Sequence, residues 1–180
     1  MKKCLGMVLG LATASAFAHE ATGLYIGVGA GAGWNDMAAP SAAFRLDGGY
    51  NITPGFAIEV GTTGITQSGA AINENIQIYD LSAKGTLPLG NLFDFFLQLG
   101  GAYQTPGALA DTPTQASAGS YGGYANGNYR QAAWQFLTGA GFDIYLTKTI
   151  SFNLTDLYYY GSNNALGNTN ALLGGIKISF

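Results

Sequence analysis

Hydrophobic and polar residues alternate with a period of two in eight separate stretches of this chain. In the last stretch, large apolar residues stand at Leu172, Ile176, Ile178 and Phe180, and Lys177 lies between two of them. A period of two is typical of a β-strand with one apolar face. The sequence therefore predicts eight strands, of which the last is residues 172–180. The other seven are residues 24–33, 42–51, 56–65, 76–87, 92–103, 131–146 and 150–160.

The connections between these strands alternate in length. Three of them are tight turns (residues 52–55, 88–91 and 147–149) and four are longer and polar (residues 34–41, 67–75, 104–130 and 161–170). Outer-membrane barrels have short turns at one end and longer loops at the other. A soluble sandwich would not need this regularity. The pattern predicts an all-β fold, an eight-stranded antiparallel up-and-down transmembrane β-barrel.

The composition favours the membrane barrel over the soluble sandwich. Charged residues make up only 9% of the chain and the mean hydropathy is +0.17, whereas soluble domains carry about 25% charged residues. Aromatic residues are predicted to form two interfacial girdles around an aliphatic band. The girdle at the loop end comprises Trp34, Phe44, Tyr103, Trp134 and Tyr158 to Tyr160; the girdle at the turn end comprises Tyr25, Tyr50, Phe56, Phe93, Phe95, Phe142, Phe152 and Phe180.

The amino terminus has the features of an export signal. Two lysines, an apolar segment (residues 5–11) and the small-x-small sequence Ala16-Phe17-Ala18 follow one another. This order predicts a cleaved signal peptide at residues 1–18 and a barrel domain at residues 19–180. Cleavage would remove Cys4, the one cysteine, so no disulfide is expected. It would also leave an acidic chain, which is a poor binder of nucleic acid.

Seven charged residues fall on the faces that the alternation directs into the barrel. The interior of an eight-stranded barrel is just wide enough for side chains to fill it, and buried charges must pair. Arg45 and Glu59 are predicted to lie at similar depth on neighbouring strands. The pattern predicts a structural network of ion pairs, with a narrow gated ion path as the alternative. Its members are Arg45, Asp47, Glu59, Asp80, Lys84, Asp143 and Lys177.

Asp156 interrupts the pattern in the seventh strand. Strict alternation would direct its carboxylate toward lipid, which is unfavourable by roughly 2 kcal/mol or less for an acidic residue. A β-bulge near Thr155-Asp156 would return the side chain to the lumen. We therefore predict a bulge at this position.

Enzymatic and metal sites find little support in the sequence. The only histidine, His19, lies beside the cleavage site and outside every strand, which excludes Ser/His and Asp/His catalysis on the barrel. A mechanism based on carboxylates alone, at Asp47, Glu59 or Asp80, would have to operate in a packed lumen. The sequence predicts no enzyme and no cofactor, with a weak alternative of a calcium site at residues 73–75.

The longest connection carries tyrosines among small residues. Tyr121, Tyr124 and Tyr129 lie between glycines, serines and alanines in residues 105–129. Tyrosine with small flexible residues is typical of adaptable contact surfaces. We predict a surface-contact loop for a host or surface ligand that the sequence does not name. The alternative is a loop that is merely solvated.

Four segments resemble the OmpA-like, opacity-type eight-stranded outer-membrane barrels: residues 24–29, 49–59, 139–147 and 176–180. The resemblance implies a monomer in the bacterial outer membrane, surrounded by lipid and lipopolysaccharide. It also implies folding by the barrel-assembly machinery, which reads a terminal strand like the one carrying Leu172, Ile176, Ile178 and Phe180. These motifs specify architecture and hardly specify activity. The expected role is structural or adhesion-like at the cell surface, with the narrow channel as the alternative.

Overall fold

The computed structural model describes residues 22–35, 38–69, 72–106, 133–161 and 168–180, and it confirms the predicted fold. Eight antiparallel strands form one closed barrel in which each strand pairs with the next and the last pairs with the first. None of the described residues form a helix long and apolar enough to cross a membrane. The strands are β1 (Gly23–Asn35), β2 (Ala38–Thr53), β3 (Phe56–Gly69), β4 (Ile72–Pro88), β5 (Phe93–Pro106), β6 (Ala133–Tyr145), β7 (Ile150–Gly161) and β8 (Thr169–Ser179).

Three tight turns lie together at one end of the barrel, which we call the turn end; the opposite end is the loop end. They join β2 to β3, β4 to β5 and β6 to β7. In the turn after β4, Gly90 has a φ of 127°, a backbone conformation that glycine adopts without steric penalty. In the turn after β6, the Thr147 hydroxyl accepts backbone N–H bonds from Thr149 (3.2 Å) and Ile150 (2.9 Å). These local interactions determine the hairpin geometry.

At the loop end the strands extend further than the sequence predicts. Residues 67–69 and 72–75 were predicted to be loop, but Gly69 pairs with Ile72 and the ladder continues from there. Residues 34–41 behave similarly, with Asn35 opposite Ala38. The apolar alternation stops before the hydrogen-bonded ladder does. The physical reason is that backbone pairing does not require apolar side chains beyond the lipid band.

The side chains alternate between a filled lumen and an exposed apolar exterior. Leu24, Val28 and Leu99 on the outer face are 62%, 58% and 58% exposed, which identifies this face as the lipid-contacting surface. Two predicted members of the girdles belong elsewhere. Tyr25 and Tyr159 face the lumen and are buried.

The predicted bulge at Asp156 is wrong. The pairing of β7 with β6 and β8 is regular through this position, with Asp156 opposite Ala140 on one side and Leu172 on the other. Asp156 is therefore exposed on the outer face, and its neighbours Thr155 and Leu157 are buried. A bulge would have turned Leu157 and Tyr159 outward. Both are fully buried in the lumen, so their packing outweighs the cost of directing one carboxyl group to lipid.

We predict that Asp156→Leu stabilises the barrel by about 1–2 kcal/mol, because it removes a polar group from the lipid face. The measurement is reversible urea unfolding in lipid vesicles at low protein density. Thr155→Leu is the control, because the same side chain would overpack the lumen from the adjacent residue and destabilise the barrel. A destabilising Asp156→Leu substitution would indicate that Asp156 faces inward after all.

Candidate functional site

All seven charged residues predicted to face the lumen do face it, and four of them meet at Arg45. The guanidinium donates two hydrogen bonds to the Asp80 carboxylate, at 2.7 and 2.9 Å, and one to Glu59 at 3.0 Å. Asp47 lies 3.4 Å from Arg45 Nε. Gly61 makes room for this group, since a Cβ there would lie 2.2 Å from Arg45 Nη2. The bidentate bond to Asp80 is the strong geometry for an arginine–carboxylate pair.

The other three charged residues meet nearer the turn end, at Asp143. Its Oδ2 accepts from Lys177 Nζ at 2.7 Å and from Lys84 Nζ at 3.1 Å. Lys84 Nζ also lies 3.8 Å from the centre of the Phe96 ring, and Lys177 Nζ lies 5.2 Å from that of Tyr25. Aromatic faces attract buried cations. The two lysines therefore share one carboxylate and are stabilised further by rings.

Glu59 links the two groups through Tyr25, whose ring centre lies 5.2 Å from Lys177 Nζ. Besides the bond from Arg45, it accepts hydrogen bonds from the Tyr25 hydroxyl and from Gln98 Nε2, each at 2.7 Å. Tyr25 lies on β1, Glu59 on β3 and Gln98 on β5. The bonds therefore cross the lumen between strands that are not neighbours. One continuous polar network occupies the turn half and the middle of the barrel.

Several members of this network were missed in the sequence. Asp94 is buried opposite Asp143 in the pairing of β5 with β6, and it accepts a 2.8 Å hydrogen bond from the Tyr145 hydroxyl. Its position two residues before the inward Phe96 was the signal that could have revealed it. Tyr159 was missed because of the predicted bulge. Its hydroxyl lies 3.0 Å from Thr63 Oγ1 and 3.5 Å from Arg45 Nη1.

An apolar cluster lies in the loop half of the lumen. Buried side chains from seven of the strands form one cluster there, and the Gln104–Gln135 hydrogen bond (2.8 Å) lies beyond it toward the loop end. The cluster, which we call the apolar layer, separates the charged network from that end. It consists of Ala43, Ile65, Ile76, Ile78, Ala102, Leu137, Leu157, Tyr159, Ala171 and Leu173.

A cavity of about 10 Å³ remains among the charged residues of the lumen. Lining side chains include Arg45, Asp47, Lys84, Asn153 and Thr155. Such a volume holds about one water molecule. In the part of the chain that the structure describes, no group of three or more acidic, histidine or cysteine side chains is placed to hold a metal ion.

The other predicted site residues divide between the lipid face and the undescribed part of the chain. Leu172, Ile176, Ile178 and Phe180 are exposed on the outer side of β8 and at its end. The signal peptide (residues 1–18), His19 and the loop tyrosines lie outside the described residues, as do the side chains of the suggested calcium site (residues 73–75). The loop tyrosines are Tyr121, Tyr124 and Tyr129.

We predict that Arg45→Met lowers the free energy of unfolding by about 3–5 kcal/mol, because it leaves the buried carboxylates of Glu59 and Asp80 without their base. Urea unfolding in lipid vesicles, followed by tryptophan fluorescence, measures the loss. Lys148→Met in the exposed turn after β6 is the matched control and should change little. Adding Glu59→Gln and Asp80→Asn to Arg45→Met should restore part of the stability. An effect below about 1 kcal/mol for Arg45→Met would contradict the network's structural role.

Comparison with known proteins agrees with this architecture. The sequence profile described as "Outer membrane protein beta-barrel domain" matches residues 5–180. No curated protein sequence matches the chain. Among solved structures, Neisserial surface protein A is similar with 15% identity and a TM-score of 0.66, covering 88% of this chain and 98% of its own.

Two further solved structures show the same fold. The outer membrane protein OprG of Pseudomonas aeruginosa has 15% identity and a TM-score of 0.57, covering 91% of this chain and 99% of its own. Ail, the attachment invasion locus protein of Yersinia pestis, has 9% identity and a TM-score of 0.54, covering 88% of this chain and 97% of its own. At these identities the likeness is one of fold. The family match, the closed eight-stranded barrel and the lipid-facing exterior together place the chain in the outer membrane protein β-barrel family, of the OmpA-like, opacity type.

Proposed function

We propose that this protein is a surface-interaction barrel of the bacterial outer membrane, with a lumen closed to solutes and a contact surface at its loop end. The observation that carries the proposal is the filled lumen. The apolar layer occupies its loop half, and Ile78, Leu137 and Leu157 in that layer are fully buried. The charged network occupies the rest around a cavity of about 10 Å³. Because the lumen offers no open path for solutes, the exposed loop end is the part of the barrel that can bind a partner.

The loop end carries the chemistry of an adaptable contact surface. Aromatic pairs line the ends of β5 to β7: Tyr103 with Trp134 (5.1 Å between ring centres) and Tyr158 with Tyr160 (4.5 Å). The connection between β5 and β6 contains three tyrosines among glycines, serines and alanines. Tyrosine rings supply large contact areas with little loss of side-chain entropy. This end is therefore suited to neutral glycan or protein surfaces.

The charge distribution argues against a polyanionic ligand. Arg45, Lys84 and Lys177 face the lumen, and Lys148 lies in a tight turn at the opposite end. The connection between β5 and β6 contributes one base, Arg130, and one acid, Asp111. Ail, the attachment invasion locus protein, has been solved in complex with the heparin analogue sucrose octasulfate. By charge alone, we expect no comparable affinity here.

The alternative of a narrow gated channel has less support. Conduction would require the apolar layer to open as well as the network around Arg45 to rearrange. No observation on the described residues favours such an open arrangement. We therefore retain the contact function as the proposal.

We predict that removing residues 107–127 leaves the barrel folded and abolishes binding by whole cells. Strand β5 ends at Pro106 and β6 begins at Ala133, so the deletion removes none of the strand pairing that the structure describes. The test compares binding of host matrix, hydrophobic solutes and phage by cells with and without the protein. Replacing Tyr121, Tyr124 and Tyr129 with alanine should lower the same binding at least tenfold, whereas serine-to-alanine changes at Ser117 and Ser120 are the control. Unchanged binding by the deletion variant, with the heat-modifiable gel shift intact, would contradict the proposal.

We predict no reproducible conductance steps from the purified protein in planar lipid bilayers, either for the wild type or for Glu59→Ala. The substitution disturbs the charged network but leaves the apolar layer in place. A known eight-stranded channel run in the same bilayers controls for insertion. Reproducible steps in the wild type that change with Glu59→Ala would favour the gated channel.

A further inference from the structure

We propose that the outer face around Asp156 is the interface of a homodimer, formed by the same patch on two copies within the membrane. The patch consists of Thr138 and Ala140 on β6, Asp156 on β7, and Asn170 and Gly174 on β8. We call it the Asp156 patch. This proposal replaces the monomer that the resemblance implies, and it is independent of any surface ligand.

Asp156 is the ionisable side chain that the described strands direct outward among apolar residues. It lies opposite Ala140 and Leu172, between Phe152 of the turn-end girdle and Tyr160 of the loop-end girdle. It makes no hydrogen bond or ion pair with any described residue. Ionisable residues within the lipid band are costly and mark functional contacts. Asp156 faces outward because the register that buries Leu157 and Tyr159 requires it. Its exposed carboxyl group has no partner within the described chain.

A row of polar groups lies directly above it, toward the loop end. The pairing of β6, β7 and β8 places Thr138, Tyr158 and Asn170 side by side on the outer face. Asn170 Oδ1 is buried and accepts no hydrogen bond from the described residues. On the opposite side of the barrel, the outward Gln77 instead bonds Thr62 within its own chain. The amide of Asn170 thus has an acceptor that no described residue uses, and a rotation of the side chain would expose it to a neighbouring copy.

Small residues lie among these groups, although Leu172 beside Asp156 is large. Gly174 lies opposite Ala30 of β1, and Ala32 is opposite Leu172. Ala140 lies beside Asp156. In membranes, small residues let two backbones approach closely, and polar side chains then bond across the contact. On the outer face of β3 and β4, by contrast, Val60 lies opposite Leu81, and the polar pair Gln77–Thr62 is satisfied within the chain.

The chemistry of the patch selects a second copy as the occupant. The Asp156 carboxyl group accepts hydrogen bonds, and the hydroxyl of Thr138 and the amide of Asn170 can both donate and accept them. In a two-fold dimer the same patch lies on both sides of the interface, so a donor on one copy can bond an acceptor on the other, and the reciprocal bond forms as well. The described bases face the lumen or lie in a turn, so none of them offers a cation to this surface.

Cross-linking through single cysteines tests the interface. In a Cys4→Ser background, Ala140→Cys places one thiol in the patch, and Ala83→Cys places one on the exposed outer face of β4 as the matched control. Outer-membrane fragments are treated with a thiol oxidant and separated without reductant. We expect a band of twice the monomer mass from Ala140→Cys, at least tenfold stronger than from Ala83→Cys. Equal cross-linking of the two variants, or a cross-linked band of another mass, would overturn the proposal.

Substitutions at Asp156 test its role within the same assay. Added to Ala140→Cys, Asp156→Leu should lower dimer cross-linking at least tenfold, because it removes the shared hydrogen bonds. Asp156→Asn should keep at least half of the cross-linking, because the amide oxygen still accepts hydrogen bonds. The heat-modifiable gel shift reports that each variant is folded. Undiminished cross-linking of a folded Asp156→Leu variant would overturn the assignment of Asp156 to the contact.

Discussion

Satisfaction of backbone hydrogen bonds in hydrocarbon is the constraint on which the rest of this structure depends. Lipid offers no partner for an exposed N–H or C=O group, so a sheet in the membrane must close on itself. Pairing of β1 with β8, in which Gly27 lies opposite Lys177, achieves that closure. Closure with eight strands also makes the lumen narrow. The side chains inside must therefore fill the space and satisfy one another.

The filling of the lumen is divided along the barrel axis. The apolar layer and the Gln104–Gln135 pair fill the loop half, and the charged network fills the turn half and the middle. Bonds in the network connect strands that do not pair, as when Arg45 of β2 reaches Asp80 of β4. Such bonds brace the barrel across its interior. Three bases face five buried or half-buried acids (Asp47, Glu59, Asp80, Asp94 and Asp143), which tyrosine hydroxyls and the Gln98 amide help to satisfy.

Asp156 shows how the interior determines the exterior. Its outward position follows from the regular register that buries Leu157 and Tyr159. The residues next to Asp156 in the sequence do not predict this orientation. The sequence around Asp156 alone predicts a bulge that would turn the carboxyl group away from lipid. The register is a property of the whole strand, because a one-residue shift would exchange every side chain between lumen and lipid. The free-energy cost of exposing one carboxyl group to lipid is smaller than the cost of exchanging all lumen-facing and lipid-facing side chains of the strand.

Alternation along the chain by itself determined the number of strands, their antiparallel order, the two kinds of connection and the inward position of seven charged residues. These properties depend on period and spacing, which are local. The tertiary structure alone decided which charges meet, as when Lys84 of β4 donates a hydrogen bond to Asp143 of β6, two strands away. It also decided that Tyr25 packs against Gly49, where a Cβ would lie 2.3 Å from its ring. Contacts across a lumen depend on barrel shear and on the volume of every opposing side chain. Neither quantity can be predicted from the sequence of a single strand.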